Sequence, residues 1–209
     1  MREGREGQDG QDGREGQDGQ EGREGPPTRR SAPARSRRSS RTEHDASGGG
    51  AGRDGRVIRA AEVRDLDAIV AGNVALAEES EGVRLDLNTL RAGVQTLLDG
   101  RAPGRYWVAA RDGTVIGQLL ITFEWSDWRN CMVWWIQSVY VIPSARRSGV
   151  FRALYEHARR EAHAEGAGGL RLYVDVTNSR AQSVYAALGM KGDHYRVFED
   201  MFAEPPRTA

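Results

Sequence analysis

The chain has 209 residues, and its 30 basic and 30 acidic side chains give a formal net charge of zero. This balance provides no electrostatic reason to expect a nucleic-acid or membrane partner, and no apolar run approaches the ~18 residues of a membrane-spanning helix. Cys131 is the only cysteine, which excludes an internal disulfide and suits the cytoplasmic location that we expect.

Residues 1–55 differ in composition from the rest of the chain. Glycine occupies every third position from Gly4 to Gly25, and a basic segment rich in serine, proline and alanine follows. The repeat contains no proline and spans only eight triplets, so disorder is favoured over a collagen helix. We predict a disordered tail over 1–55, or a true start at Val57, and one α/β domain over 56–209.

The first part of this domain predicts a strand and two amphipathic helices. Val57 to Ala60 is the expected strand, Asp65 the expected cap of the first helix, and Gly100 the stop of the second. The apolar positions that recur at helical spacing are Leu66, Ile69, Val70, Val74 and Ala77 in the first helix and Leu87, Leu90, Val94, Leu97 and Leu98 in the second.

A hairpin and a long strand are expected next. Tyr106 to Ala110 and Val115 to Trp125 flank Asp112 and Gly113, which both tolerate the positive φ of a two-residue turn. The apolar run from Cys131 to Val141 predicts the following strand. Together these segments predict neighbouring antiparallel strands.

The segment after that strand has the pattern of an anion-binding loop. Pro143 ends the strand, and apolar residues resume at helical spacing from Val150. The intervening Arg146-Arg147-Ser148-Gly149 therefore precedes a helix N-terminus. Free N–H groups, the helix dipole and two arginines there favour a pyrophosphate, although such a basic turn is also typical of ordinary solvated surface.

The last part of the domain predicts a strand, a helix and further strands. Leu170 to Val176 alternates apolar with other residues, as in a strand with one buried face. Asn178 or Ser179 is the expected cap of a helix that ends at Gly189. Met190 to Phe202 predicts two more short strands.

These two loops and helices resemble a known enzyme family. Arg146-x-x-Gly149 after one strand, and Asn178 followed by Tyr185 and Gly189 after the next, are similar to the motifs of the GNAT family of acetyl-CoA-dependent N-acetyltransferases. The resemblance covers about three quarters of the chain. It implies a mixed, mostly antiparallel sheet flanked by helices, acetyl-CoA as co-substrate and no metal ion.

The resemblance also implies roles for individual residues. Tyr185 would protonate the leaving thiolate, a task that suits a phenol with an ordinary pKa near ~10; the alternative is that it only packs on the inner face of its helix. Strand residues would pair with the pantetheine arm and loop residues would hold the pyrophosphate. The implied coenzyme-binding positions are Val139, Tyr140, Val141, Arg146, Arg147, Ser148, Gly149, Val150, Phe151 and Asn178.

Phe151 departs from the family pattern, which has glycine or alanine at this position. A large ring in the first helical turn would either crowd the phosphates or turn inward. We expect the inward orientation beside Leu154, because both residues share the apolar face of the predicted helix.

The general base is left open by the sequence. Residues 135–141 look like the central strand of the diamine (spermidine/spermine-type) branch of the family, in which a glutamate stands where this chain has Gln137. An amide cannot accept the proton of the amine. Either ordered water or Glu124, at the end of the preceding strand, is the expected base. Alternatively, Glu124 is an exposed charge at the hairpin end.

A tryptophan-rich turn between those strands is the expected surface that binds the acceptor amine, and we call this surface the acceptor wall. Trp125, Asp127 and Trp128, together with Gln137, are candidates for binding a cationic amine through ion pairing and cation–π contact. The alternative is that the tryptophans of this region cover the sheet or the partner in a homodimer.

We therefore predict an N-acetyltransferase that moves an acetyl group from acetyl-CoA to a primary amine by direct attack in a ternary complex. A small molecule such as a polyamine is the first choice of acceptor, and a protein lysine or N-terminus is an alternative. A module that binds acyl-CoA without turnover is the alternative class. The histidines do not have the spacing of a metal-ligand pair; they are His44, His157, His163 and His194.

Overall fold

The computed structural model describes residues 55–202. The tail predicted over 1–55 lies outside the described residues apart from Gly55. The described elements are β1 Arg56–Ala60, α1 Leu66–Glu81, α2 Leu87–Leu98, β2 Arg105–Arg111, β3 Thr114–Ser126, β4 Cys131–Val141, α3 Val150–Ala164, β5 Leu170–Arg171 and α4 Ser179–Ala187.

The five strands form one mixed, mostly antiparallel sheet in the order β1-β2-β3-β4-β5. Strands β1 to β4 pair antiparallel with their neighbours, and β5 runs parallel to β4. Asp112 and Gly113 make the β2–β3 turn with φ of 50° and 77°, as the hairpin prediction requires. The predicted fold class is confirmed. Between residues 55 and 202, no helix has the length and apolarity to span a membrane.

Two apolar clusters cover the two faces of the sheet. On one face α3 packs Leu154 and its neighbours against the centre of the sheet, around Trp134, which is 2% exposed. On the other face α1 and α2 pack Ile69 and Val94 against Val108 of β2. Successive strand residues point to opposite faces, so the alternating pattern of each strand supplies both clusters.

A β-bulge in β4 changes which side chains face each helix layer. Leu120 pairs with Ser138 and Ile121 with Ile136, so Gln137 is the extra residue. Ile136 before the bulge and Val139 after it both contact the α3 cluster, although they are three positions apart. The bulge therefore lies at the centre of the strand that the sequence assigns to the pantetheine arm.

Three local expectations need correction. Asp65 is the N-cap residue of α1, as predicted, but its side chain makes no capping hydrogen bond, because its carboxylate accepts from the Arg59 guanidinium and from the Glu62 N–H. The strand predicted over Leu170 to Val176 is limited to β5, and Val176 is 91% exposed. No strand forms in described residues 190–202. An alternating pattern needs a neighbouring strand edge to become a ladder, and beyond β5 the chain has left β4.

Candidate active site

The candidate site begins where β4 and β5 separate. The two strands pair only at Trp134 with Leu170 and at Trp135 with Arg171. Beyond this point, residues 136–141 of β4 pair with β3 on one side and with no described strand on the other. The separation leaves one edge of β4 without a paired strand, and we call the space between this edge and the chain after β5 the cleft.

The backbone groups on this edge follow from the ladder between β3 and β4. The Ile142 N–H donates to the Ile116 carbonyl at 3.1 Å. Hydrogen-bonded and non-hydrogen-bonded pairs alternate along an antiparallel ladder, so Tyr140 directs its backbone groups toward β3. The N–H and C=O groups of Val139 and Val141 consequently point to the open edge.

The loop at residues 146–149 joins this strand to α3. Arg147 and Gly149 have positive φ, 62° and 81°, and turn the chain so that α3 begins at Val150. Gly149 is the N-cap and supplies no side-chain acceptor, which leaves the first N–H groups of α3 available to an anion. Arg56 of β1 braces the loop by donating to the Ser148 carbonyl at 2.8 Å.

Arg146 is held against β4 and α1. Its Nε donates to the Val141 carbonyl at 2.9 Å, its Nη2 donates to Glu79 of α1 at 2.6 Å, and its guanidinium lies 5.4 Å from the centre of the Tyr140 ring. Arg147 is exposed. Of the loop's two arginines, therefore, Arg147 is the one whose side chain faces solvent.

Phe151 turns inward, as expected. Its ring packs against the core on the α3 side of the sheet, 6.2 Å from the centre of the Tyr155 ring and 5.8 Å from that of Tyr185. The Phe151 ring therefore packs in the core rather than over the loop. The same contact places Tyr185 beside that turn.

Tyr185 lies on α4 with its ring half-buried. Burial raises the pKa of its phenol, so the hydroxyl is protonated at neutral pH. Among residues 55–202 this hydroxyl has no hydrogen-bond partner. A protonated phenol without a protein acceptor can donate its proton to a ligand.

Asn178 caps α4. Its Oδ1 accepts from the Ala181 N–H at 3.0 Å, which confirms the predicted cap. The cap fixes the start of the helix that carries Tyr185. The side-chain amide nitrogen of Asn178 makes no hydrogen bond within the described residues, and so it retains two donors.

Glu124 connects three strands. Its carboxylate accepts from the indole N–H of Trp135 and from Arg171 Nη1, the latter at 2.6 Å. The Arg171 guanidinium also lies 5.9 Å from the centre of the Trp135 ring. Both carboxylate oxygens accept hydrogen bonds, and the side chain remains 40% exposed.

Gln137 lies at the mouth of the cleft. Its Nε2 donates to the Thr122 hydroxyl at 2.7 Å, and its Oε1 accepts from the Tyr173 hydroxyl at 3.3 Å. Tyr173 follows β5 and is 55% exposed. The bulge thus presents a neutral side chain whose amide is oriented by both neighbouring segments of the chain.

Apart from Gln137, the residues of the expected acceptor wall lie away from the cleft. Trp125 and Trp128 are 56% and 89% exposed at the β3–β4 turn, where Asp127 accepts from the Trp128 N–H. Cys131, the first residue of β4, is six residues from Gln137, which corresponds to about 20 Å of extended strand. The structure therefore does not bring this turn to the cleft.

The described residues 55–202 contain no group of three or more His, Cys, Asp or Glu side chains that could hold a metal ion.

The model of the Acetyltransferase (GNAT) family matches residues 74–190, more than half of the chain. The chain belongs to the GNAT acetyltransferase family. It is accordingly an acyltransferase.

Solved structures described as acetyltransferases are similar to this chain. A possible acetyltransferase from Clostridium difficile 630 is 39% identical with a TM-score of 0.67, over 71% of this chain and 99% of that chain. The aminoglycoside N-acetyltransferase AAC(6')-Iy in complex with CoA is 19% identical, with a TM-score of 0.60 over 71% and 95% of the two chains. A ribosomal-protein-alanine N-acetyltransferase from Brucella melitensis biovar Abortus 2308 is 16% identical, with a TM-score of 0.57 over 70% and 99%. The last two show likeness of fold alone. Comparison with curated proteins gave no match.

In this GNAT domain, several contacts at the site were missing from the sequence interpretation, and three of them illustrate the reason. Arg56 braces the loop, Arg171 holds Glu124, and Tyr173 orients Gln137. Each joins residues far apart in sequence, and so no local pattern indicates them.

Proposed function

We propose that this GNAT enzyme transfers the acetyl group of acetyl-CoA to a primary amine of a small molecule, by direct attack in a ternary complex. The observation that carries the proposal is the open edge of β4 directly before the loop at residues 146–149. A ligand with backbone-like amides can add to such an edge. A phosphate group can then bind at the N-terminus of the helix that follows.

The residues present fit acetyl-CoA. The Val141 carbonyl already accepts from Arg146, so Val139 and the Val141 N–H are the backbone groups left for the pantetheine arm. The N–H groups at the start of α3 and the exposed Arg147 suit the pyrophosphate. Asn178 has side-chain donors that remain available for the coenzyme. We propose these assignments as the coenzyme site.

The chemistry follows from the groups along this edge. The amine nitrogen forms a bond to the thioester carbon while the carbon–sulfur bond breaks. A backbone N–H at the open edge stabilises the developing oxyanion, and a donor aimed in this way can be worth ~3–4 kcal/mol. Tyr185 gives its proton to the thiolate that leaves, and its raised pKa keeps that proton in place until it is needed.

We propose that the proton of the amine passes to water rather than to Glu124. Both oxygens of Glu124 accept hydrogen bonds, one from an indole and one from a guanidinium. The neutral Gln137 replaces a carboxylate at the bulge, and an amide does not take up a proton. A water at the open cleft is the remaining acceptor, as the sequence interpretation allowed.

A polyamine-like diamine is the acceptor we favour. The support is the likeness of residues 135–141 to the diamine branch, together with a cleft mouth formed by neutral polar groups of Gln137 and Tyr173. The exposed tryptophans at the β3–β4 turn are too distant to bind this amine. We propose that they contact the partner in a homodimer instead, since large exposed apolar side chains favour an interface.

Two substitutions test the proposed function. Gly149→Glu places bulk and negative charge at a left-handed residue beside the phosphates, so the rise in Tm that acetyl-CoA gives the wild type should disappear. Tyr185→Phe should lower kcat at least roughly tenfold and leave KM for acetyl-CoA near the wild-type value, because only the proton donor is lost.

The assay is thiol release from acetyl-CoA against a panel of polyamines, aminoglycosides and amino acids. Tyr195→Phe is the matched control, because it removes the same hydroxyl from a side chain that is 88% exposed. Equal kcat values for the Tyr185 variant and the wild type would contradict the acid role. An unchanged thermal shift in the Gly149 variant would place the coenzyme elsewhere.

A further inference from the structure

Glu79 links the last turns of α1 to the region that we assign to the coenzyme. Its Oε1 accepts from the Tyr140 hydroxyl at 2.8 Å and its Oε2 accepts from Arg146 Nη2 at 2.6 Å. These hydrogen bonds, first that from Tyr140 and then that from Arg146, hold the pKa of Glu79 below its usual range. The side chain is therefore ionised at neutral pH and joins α1 to both β4 and the loop.

The same contacts fix the orientation of Arg146. A planar guanidinium that donates to a carboxylate and to the Val141 carbonyl, and that also lies over the Tyr140 ring, has little freedom left. Arg146 is the first residue of the loop. Its immobilisation consequently sets where the loop leaves the end of β4.

We propose that Glu79 is a positioning residue for acetyl-CoA binding. Through Arg146, it fixes the spacing between the open edge at Val139 to Val141 and the loop at residues 146–149. One ligand must reach both elements at once, so an error in this spacing weakens its binding. The inference rests on the proposed function, because it assumes that acetyl-CoA occupies both elements.

A purely electrostatic role for Glu79 predicts a change in acetyl-CoA affinity in the opposite direction. Acetyl-CoA is an anion, and a nearby carboxylate repels it, so neutralising Glu79 would tighten binding if charge alone mattered. Positioning predicts weaker binding instead. A role in stability alone predicts no change in binding, and the partial exposure of both side chains, 31% for Arg146 and 43% for Glu79, keeps that role small.

The experiment measures acetyl-CoA affinity of the full chain by calorimetry, together with kcat and KM. Glu79→Gln should raise Kd and KM for acetyl-CoA roughly three- to tenfold and leave kcat at saturation near the wild-type value. Glu78→Gln is the matched control. It removes the same charge from an exposed neighbour whose side chain makes no hydrogen bond or ion pair within the described residues, and it should leave Kd unchanged or slightly lower.

Arg146→Gln tests whether Glu79 acts through this arginine. If it does, the double variant should bind acetyl-CoA no more weakly than the Arg146 variant alone, since the pair works as a unit. Additive losses, or unchanged or tighter binding in the Glu79 variant, would overturn the inference while leaving the proposed function intact. Failure of the wild type to bind acetyl-CoA would overturn both.

Discussion

Gly72, in the middle of α1, allows the fit of this helix on the sheet to be tested with one methyl group. A Cβ at this position would lie 2.5 Å from Oε1, 2.8 Å from Cδ and 2.9 Å from Nε2 of Gln118. Gln118 is only 2% exposed. Its Nε2 donates to the Ile69 carbonyl at 3.1 Å and to Asn73 Oδ1 at 2.8 Å. Gly72→Ala must therefore displace a buried amide.

The expected magnitude follows from three contributions. Alanine in place of glycine favours a helix by about 1 kcal/mol. Loss of the two hydrogen bonds of the Gln118 amide costs about 2 kcal/mol, and overpacking costs a further ~1–3 kcal/mol. The free energy of unfolding should fall by about 2–4 kcal/mol. For a domain of this size, the corresponding fall in Tm is about 6–12 °C.

Gly93 in α2 is the matched control. It is also a helical glycine, but no atom lies within 4 Å of an added Cβ, so Gly93→Ala should raise the free energy of unfolding by about 0.5–1 kcal/mol. Urea and thermal unfolding followed by circular dichroism measure both variants. Changes of the same sign would refute the reasoning, as would a Gly72→Ala penalty that persists after Gln118→Ala has removed the amide.

Two further predictions concern carboxylates. Asp65→Asn should lower the free energy of unfolding at pH 7 by about 2 kcal/mol, because Asp65 accepts from Arg59 and from the Glu62 N–H. The hydrogen bonds from Arg59 hold the pKa of Asp65 below its ordinary value. The contribution of Asp65 to the free energy of unfolding is therefore complete above about pH 3.9 and is lost as the pH falls through the folded-state pKa. Urea unfolding from pH 7 to pH 3 measures this loss. A difference in the free energy of unfolding between variant and wild type that stays constant over this range would contradict the prediction. The pH–rate profile of the Glu124→Gln variant should keep its acidic limb, because we propose that water accepts the proton of the amine. Disappearance of the acidic limb in this variant would show that Glu124 is the base.

The sequence predicts well the elements whose signals are local. Asp112 and Gly113 adopt the positive φ that a two-residue hairpin turn requires, and the Asn178 side chain caps α4. In both places the chemistry of one or two residues decides the backbone. Such signals also predict most of the strands and helices in chain order, whereas the single mixed sheet flanked by helices was implied by the family resemblance.

The contacts that shape the candidate site have no local signal. Arg56 and Ser148 are 92 residues apart, and Glu79 and Arg146 are 67 residues apart. Only the folded sheet brings them together. The absence of a local signal for tertiary position also explains why the acceptor wall was predicted at the β3–β4 turn. The composition indicated an aromatic cluster but not how far along β4 it lies from the cleft.

The bulge at Gln137 has a consequence for how this protein can change. The extra residue in β4 determines which face each following side chain of the strand points to, as far as the loop at residues 146–149. Deletion of a single residue at the bulge would restore a regular ladder and turn these side chains to the opposite face. Val139 would leave the α3 cluster, and the outward backbone groups of the edge would exchange with those directed at β3. We therefore expect this stretch of β4 to tolerate substitutions by residues of similar size better than the insertion or deletion of a residue.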